Sequence, residues 1–168
     1  GSHPITQSPA AATAISTGVK TYNMAIGVDM DSIPLENISD YLSKLGYMTG
    51  VIATSSITDA TPASFYAHEP DRYMQMEIAL DLVHSEIDFF AGGGIKYFLD
   101  STGINHFEEN GIEVNYDRLK RIKNPEPGER YGFLLGADRK PAMQEGRKAN
   151  TSAATATAIE SPETGGTG

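Results

Sequence analysis

Apolar residues spaced three and four positions apart predict two amphipathic helices, over Pro34–Gly46 and Asp71–Ser85. An earlier run of small residues follows Ser8 and ends at Gly18. This run predicts a third helix, with Ser8 as its N-cap, Pro9 at the first helical position and Gly18 as its stop. The side chains expected to face inward are Leu35, Ile38, Tyr41, Leu42 and Leu45 in the first amphipathic helix, and Tyr73, Met76, Leu80 and Val83 in the second.

Continuous apolar runs predict strands over Met48–Ser56, Ile87–Ala91 and Tyr131–Gly136. Between them, Pro62 begins a short helix that extends to His68, and residues 103–123 are typical of one or two charged surface helices. Strands that alternate with helices favour an α/β fold, a three-layer, doubly wound and mostly parallel sheet.

The chain divides by composition into three parts. Residues 1–4 resemble the scar of a cleaved purification tag or the end of a leader, and the start of the sequence shows no signal-peptide pattern. Residues 5–149 are expected to form one α/β domain. Residues 150–168 are a low-complexity tail rich in Ala, Thr and Gly, for which we expect little packing.

Charge and cysteine usage exclude several classes of function. The 168 residues carry a formal net charge of −9, which argues against nucleic acid as a partner. The chain has no cysteine, so disulfides and thiolate metal sites are excluded. No apolar run is long enough to span a membrane, and we expect no membrane partner.

Ser8 and the Thr58–Thr61 segment are the first candidates for chemistry. A serine at a helix start faces unpaired backbone N–H groups and the positive end of the helix dipole, which favours an alkoxide or a bound phosphate. Thr58–Thr61 follows a predicted strand at the edge where open α/β sheets bind ligands. Ser-Pro is also one of the commonest helix starts, and Thr61 before Pro62 is typical of an ordinary N-cap, so these alternatives stay open.

Several motifs together resemble the alkaline phosphatase family, in the family's order and with its gaps. The resemblance extends over roughly Ile5 to Arg147, which is only part of such an enzyme. The matching segments are Ser8-Pro9-Ala10-Ala11-Ala12-Thr13-Ala14, Ser16-Thr17-Gly18-Val19-Lys20-Thr21-Tyr22-Asn23, Gly27-Val28-Asp29, Thr58-Asp59-Ala60-Thr61-Pro62-Ala63, Tyr66-Ala67-His68 and Arg72.

The resemblance implies a role for four residues. Ser8 is the nucleophile, and Arg72, eleven residues after Thr61, clamps two phosphate oxygens with its planar guanidinium. Asp59 and Thr61 match the magnesium-side residues of the family, a carboxylate and a hydroxyl that suit a hard cation. The family also uses two zinc ions.

Three departures weaken this transfer of roles. Gln7 replaces the aspartate that precedes the serine in the family, and Pro9 removes one backbone N–H from the helix start. The metal-bridging aspartate of the opening strand and the later zinc-binding clusters have no counterpart. The four histidines are scattered without zinc-ligand spacing, at His3, His68, His84 and His106. We therefore expect magnesium as a cofactor but few of the zinc ligands.

Two hypotheses follow. The first is a metal-dependent phosphomonoester hydrolase of alkaline phosphatase type, impaired or inactive as this isolated chain. The second is a non-catalytic fragment or an engineered derivative of a phosphatase domain. The resemblance further implies a periplasmic or secreted location. An incomplete alkaline phosphatase-like core would also leave a sheet edge exposed, which predicts self-association.

Overall fold

The computed structural model describes residues 5–99, 105–116 and 128–136. Within these ranges the chain forms two compact units. The helical unit consists of the described residues of Gly1–Thr49 and Thr58–Ile87, and the sheet unit of those of Gly50–Ile57 and Asp88–Gly168. The predicted tail over residues 150–168 and the proposed end of the family resemblance at Arg147 lie outside the described residues.

Four helices belong to the helical unit: α1 (Ser8–Thr17), α2 (Ile38–Lys44), α3 (Ala60–Ala63) and α4 (Gln75–His84). Helix α1 ends as predicted, because Gly18 takes the left-handed conformation at φ 75° and donates its N–H to the Ala14 carbonyl over 3.0 Å. Its N-cap is Gln7 rather than Ser8, so Ser8 is the first helical residue and the predicted capping role is wrong.

Helix α2 begins four residues later than predicted. The Asn37 side chain accepts hydrogen bonds from the N–H groups of Ser39 and Asp40 over 2.9 and 3.0 Å, and the Asp40 carboxylate accepts from the Asn37 N–H. This capping box fixes the start at Ile38, while Pro34 pairs with Val28 in an isolated bridge. The predicted inward face is wrong at Ile38, Tyr41 and Leu45, which are exposed, whereas Leu35 and Leu42 are partly buried.

Helix α4 likewise begins later than the predicted Asp71. It buries Ile78, Ala79, Leu82 and Val83. Of the residues predicted to face inward, Val83 is buried, but Tyr73 is 75% exposed and precedes the helix, and Met76 is 41% exposed. The short helix α3 begins at Ala60 instead of Pro62, with Asp59 as its N-cap, so Thr61 lies inside the helix and is not its cap.

The sheet unit contains four strands, β1 (Gly50–Ser56), β2 (Phe89–Gly93), β3 (Glu113–Asn115) and β4 (Tyr131–Leu134), in the order β1-β2-β4-β3. Every pairing is parallel, which confirms the predicted α/β fold with a mostly parallel sheet. Strand β3 falls where we predicted charged helices, and only the short helix α5 (His106–Glu109) forms there among the described residues.

Aromatic side chains fill both faces of β2, the strand that is buried along its whole length. Phe89 packs against Phe133 with ring centroids 5.8 Å apart, and on the other face Phe90 stacks on Phe107 at 5.1 Å. Gly132 lets the Phe90 ring lie directly against β4, because a Cβ at Gly132 would come within 2.2 Å of that ring. The Gly92–Gly94 run forms the end of β2 and a tight turn, with Gly94 at φ 97°, before a single 3-10 turn over Ile95–Tyr97.

Candidate functional site

Ser8 lies exposed on the first turn of α1. The first intrahelical hydrogen bond runs from the Ala11 N–H to the Gln7 carbonyl over 3.0 Å. The N–H groups of Ser8 and Ala10 therefore have no partner further back in the helix, and Pro9 contributes no N–H. The Ser8 hydroxyl is thus accessible at the positive end of the α1 dipole.

Thr13 fixes α1 within the helical unit. Its buried hydroxyl donates to the Ala25 carbonyl over 3.3 Å, accepts from the Gly27 N–H over 3.0 Å, and lies 3.5 Å from the Ser64 hydroxyl. Helix α1 also packs on α3. Its buried face consists of small residues, which allow close approach: Pro9, Ala10, Ala12, Thr13 and Ser16.

Gly27 is required where the chain approaches the end of α3. Its φ is 62°, and a Cβ at this position would lie 2.0 Å from the Ala67 carbonyl oxygen. A side chain at position 27 would therefore force the Gly27 backbone away from Ala67, and Gly27 also binds Thr13 of α1 through its N–H.

Asp59 and Thr61 occupy the start of α3. Asp59 is half-buried at the N-cap, but its carboxylate makes no capping hydrogen bond, so the carboxylate is not used by the helix itself. Thr61 is exposed one residue inside the helix. Both side chains present hard oxygen atoms within three residues of chain.

Arg72 lies in the turn before α4, with its backbone hydrogen-bonded on both sides. Its N–H donates to the Met24 carbonyl over 3.0 Å, and its own carbonyl accepts from the Gln75 side-chain amide over 2.6 Å. The neighbouring Asn23 accepts from the Gln7 N–H over 3.1 Å and donates to the Ile5 carbonyl over 3.4 Å.

These contacts connect the predicted site residues within the helical unit. Residues 5–7, which lead into Ser8, bind Asn23; the adjacent Met24 binds Arg72; and Gln75 connects Arg72 with Thr58, the residue before Asp59. Sequence reasoning missed Asn23 and Gln75. Asn23 belongs to the matching segment Ser16–Asn23 and Gln75 to none of the matching segments. Only the fold shows that the two amides join separate parts of the chain.

A second group of polar side chains lines a cavity of about 230 Å³ in the same unit. The Asp81 carboxylate accepts from the His68 N–H over 2.8 Å, and the His68 ring lies 2.9 Å from the Leu35 carbonyl and 3.7 Å from Asp40. Burial raises the pKa of the Asp81 carboxyl, and the hydrogen bond from His68 partly opposes this. Burial likewise raises the pKa of the Tyr66 phenol well above its usual value. This group adjoins the predicted site, because the negative charge of Asp59 also contributes to the raised pKa of Tyr66.

The side chains available as metal ligands differ in how well they suit zinc and magnesium, the two metals that the family resemblance implies. Across residues 5–99, 105–116 and 128–136, no group of three or more His, Asp or Glu side chains is arranged to hold a metal ion. Zinc needs three or four such ligands, so the described residues do not fit it. Magnesium binds through one or two carboxylates and keeps several waters, which Asp59 and Thr61 fit by their chemistry.

The sequence model of the alkaline phosphatase family matches residues 2–125, which include all four predicted site residues. The chain belongs to the alkaline phosphatase family. It is 40% identical to alkaline phosphatase 3 of Bacillus subtilis over 128 residues, and 37% identical to the alkaline phosphatase of Schizosaccharomyces pombe over 122 residues. These alignments cover 71% and 69% of the chain.

Solved alkaline phosphatases also match the fold. The enzyme of the Antarctic bacterium TAB5 superimposes with a TM-score of 0.86 at 43% identity over 92% of the chain, and that of a psychrophilic Shewanella species with 0.82 at 30% identity over 94%. A variant of the TAB5 alkaline phosphatase has been solved with Mg bound in the M3 site. The chain covers 46% and 39% of these two structures, and 28% and 23% of the Bacillus and Schizosaccharomyces proteins.

Among the described residues, no helix is long and apolar enough to cross a membrane.

Proposed function

We propose that the chain supplies the nucleophile, the phosphate clamp and a magnesium-side ligand pair of an alkaline phosphatase-type phosphomonoester hydrolase. Membership of the family supports the reaction class. The observation that carries the assignment of residues is the hydrogen-bonded connection, within one unit, between the Ser8 segment, Arg72 and the Thr58–Thr61 segment.

Each proposed role follows from the chemistry of the side chain. The exposed Ser8 hydroxyl oxygen would attack phosphorus as the ester P–O bond breaks, next to a helix end that favours negative charge. Arg72 would hold two phosphoryl oxygens through parallel N–H donors. Its local positive charge matters because the chain as a whole carries −9 and repels anionic substrates at long range.

Magnesium is the cofactor that the described residues support. Asp59 and Thr61 would hold it, and when bound it would supply positive charge beside the phosphoryl oxygens. Zinc, which the family resemblance implies, has no fitting ligand set among the described residues, so we derive no step through it.

The same lack of zinc ligands among the described residues favours a second candidate function. This candidate is a non-catalytic fragment or engineered derivative of a phosphatase domain. Gln7 is neutral where the family resemblance places a carboxylate, and Pro9 removes one N–H donor at the helix start. Loss of metal activation costs many orders of magnitude in such reactions. We therefore expect the isolated chain to bind phosphate but to hydrolyse esters negligibly.

Phosphate binding tests the proposed roles without requiring turnover. Inorganic phosphate is titrated calorimetrically into the chain with magnesium present. Arg72→Ala is expected to weaken binding about 10- to 100-fold, the equivalent of a lost charged hydrogen-bond pair. Lys20→Ala, which removes one exposed positive charge elsewhere on the unit, is the matched control and is expected to leave the affinity within about twofold. Equal effects of both variants would contradict the clamp.

Hydrolysis of a chromogenic aryl phosphate at alkaline pH, with added zinc and magnesium, separates the two candidates. Negligible turnover supports the non-catalytic alternative for the isolated chain. Robust metal-dependent turnover that both Ser8→Ala and Arg72→Ala abolish would instead establish the enzyme. Residual activity that Ser8→Ala leaves unchanged comes from a contaminant and not from this chain.

The location and assembly of the protein are further parts of the proposal. Phosphate monoesters are the proposed partners, in the periplasm or outside the cell, and no role with nucleic acid is proposed for a chain of this charge.

Strand β1 is an outer strand of the four-stranded sheet, and an exposed outer strand favours pairing with another copy of the chain. A molecular mass that rises with concentration in equilibrium sedimentation is expected, and a constant monomer mass would contradict self-association.

A further inference from the structure

Gln75, the first residue of α4, has its side-chain amide fully engaged by two other segments. Its Oε1 accepts from the Thr58 hydroxyl over 2.6 Å, while its Nε2 donates to the Arg72 carbonyl over 2.6 Å and to the Thr58 carbonyl over 3.4 Å. One planar group therefore contacts the residue before Asp59 and the backbone of Arg72 at the same time.

The contacts leave both partners little freedom. Thr58 is completely buried, and its hydroxyl and carbonyl both bind the same amide. The Arg72 peptide is held on its other side as well, because its N–H donates to the Met24 carbonyl. A shift of Gln75 would therefore move the segment that carries Asp59 and the turn that carries Arg72 relative to each other.

Helix formation does not explain the choice of glutamine here. The N-cap of α4 is Met74, and the helix has no side-chain capping hydrogen bond, so the Gln75 amide does not serve its own helix end. The carbonyls of Thr58 and Arg72 need a hydrogen-bond donor, and the Thr58 hydroxyl needs an acceptor. Only an amide offers both on one group of this length, since a carboxylate has no donor and an ammonium group no acceptor.

We propose that Gln75 is a positioning residue that fixes Arg72 against the Asp59–Thr61 segment, and so sets the spacing between the phosphate clamp and the magnesium-side ligands. This inference rests on the proposed roles of Arg72, Asp59 and Thr61. Gln75 itself touches neither phosphate nor metal; it acts through the two backbones that it joins.

Two variants of similar side-chain size test the contacts of the Gln75 amide. Gln75→Met removes every hydrogen bond at nearly constant volume, and Gln75→Glu keeps the acceptor but loses both donors and places a negative charge against two carbonyl oxygens. Glu77→Gln, an exposed change in the same helical turn, is the control. The first measurement is amide hydrogen exchange in the absence of ligand. The N–H of Ala63 donates to the Asp59 carbonyl, and that of Arg72 to the Met24 carbonyl. Protection of these two N–H groups is expected to fall about tenfold in both Gln75 variants and to stay unchanged in the control.

The second measurement is a double-mutant cycle on phosphate affinity in the presence of magnesium. Gln75→Met alone is expected to weaken phosphate binding about tenfold. In the Arg72→Ala background it should have no further effect, because a residue that acts through Arg72 has nothing left to position. A merely structural role would lower stability while leaving the affinity of the folded protein intact. Equal losses in both backgrounds would overturn the proposal.

The two measurements also distinguish this inference from the proposed function. If the wild-type chain binds no phosphate, the proposed function fails, while exchange at the Ala63 and Arg72 N–H groups still decides whether Gln75 joins the two segments. If phosphate binds and Arg72→Ala weakens it, but exchange is unchanged in Gln75→Met, the function stands and the positioning role is overturned.

Discussion

In the helical unit, short polar side chains fix the loops, whereas in the sheet unit aromatic side chains fill the space around a parallel ladder. The side chains of Thr13, Asn23 and Gln75 each bind two backbone groups that belong to other parts of the chain. In the sheet unit, the Phe90, Phe98 and Phe107 rings stack with centroids 4.5 to 5.1 Å apart. Hydrogen bonds are directional and packing is not, so the helical unit is suited to hold site residues at defined positions.

This difference predicts different consequences of mutation. Loss of an aromatic ring in the sheet unit should cost much stability, because it removes a large buried area and leaves a cavity. Loss of one polar contact in the helical unit should cost less stability but should change the position of a site residue.

The largest expected effect is that of Phe90→Ala. Phe90 is fully buried between Phe107 and Gly132, so its truncation should lower the free energy of unfolding by about 3–5 kcal/mol. Urea denaturation measures the loss, and hydrogen exchange should show its greatest effect at β2 and β4. Tyr47→Ala, at a residue 63% exposed, is the control and should change stability by less than about 0.5 kcal/mol. A similar loss in both variants would mean that the aromatic stack is not what stabilises the sheet unit.

A smaller effect is expected from Thr13→Val in the helical unit. The variant keeps the volume of the side chain but leaves the Gly27 N–H and the Ala25 carbonyl without their partner. We expect a loss of about 1–3 kcal/mol, the cost of unsatisfied buried polar groups. Urea denaturation measures it, with the exposed Thr6→Val as the control. Unchanged exchange at the Gly27 amide would contradict the assignment of this loss to the hydrogen bond.

The same contrast explains which features the sequence could predict. The parallel sheet followed from apolar runs such as Val51–Ala53 and Phe89–Ala91, because buried strands of this class carry no polar alternation. Strand β3 was missed because Glu113 and Asn115 are polar and the strand has only three residues. Its position depends on pairing with β4, which no local pattern records.

Helix faces were predicted less well for a related reason. In α2, the exposed Ile38 and Tyr41 carry the apolar periodicity, while the buried positions are Asn37 at the cap and Ser39. The capping box of Asn37 and Asp40 sets where this helix begins, and it does not depend on hydrophobicity. For the site, the motifs named Ser8, Asp59, Thr61 and Arg72, and their roles remain predictions. The sequence could not show which segments the Asn23 and Gln75 amides connect, because those hydrogen bonds are tertiary contacts.

The next prediction concerns a charged group buried in the helical unit, Asp81. Because burial is the largest cause of its raised pKa, the folded state binds the proton more tightly than the unfolded state does. Its stabilising contribution is therefore complete below the ordinary pKa of 3.8 and is lost as pH rises through the higher pKa of the folded state. Asp81→Asn should avoid this loss, since the amide oxygen can still accept the His68 N–H.

The measurement is the free energy of unfolding of wild type and Asp81→Asn from acid to neutral pH. The difference in favour of the variant should grow as pH rises above 3.8 and then become constant. Because burial is the main cause, added salt should leave most of the difference in place. If the free energy of unfolding of the wild type instead rises relative to that of the variant as pH increases, the hydrogen bond from His68 and the nearby histidines affect the Asp81 pKa more than burial does.

The smallest expected effect is that of Met24→Gly, and it addresses how the polar unit holds Arg72. Met24 has a φ of 84°, a region that side chains with a Cβ rarely adopt, and its carbonyl accepts the Arg72 N–H. Glycine would relieve this strain at the cost of a more flexible unfolded chain, so we expect a net gain of about 0.5–1 kcal/mol. Met30→Gly is the matched control, at an exposed residue whose φ is not positive, and it should be destabilised by a similar amount.

The measurements are thermal denaturation of both variants and their phosphate affinity in the presence of magnesium. A stabilised Met24→Gly with unchanged affinity would mean that the strain is incidental. If the variant is stabilised but binds phosphate more weakly, the strained turn contributes to the position of Arg72, as the hydrogen bond from its N–H to Met24 leads us to expect. A destabilised Met24→Gly would show that the Met24 side chain contributes more through packing than its backbone conformation costs.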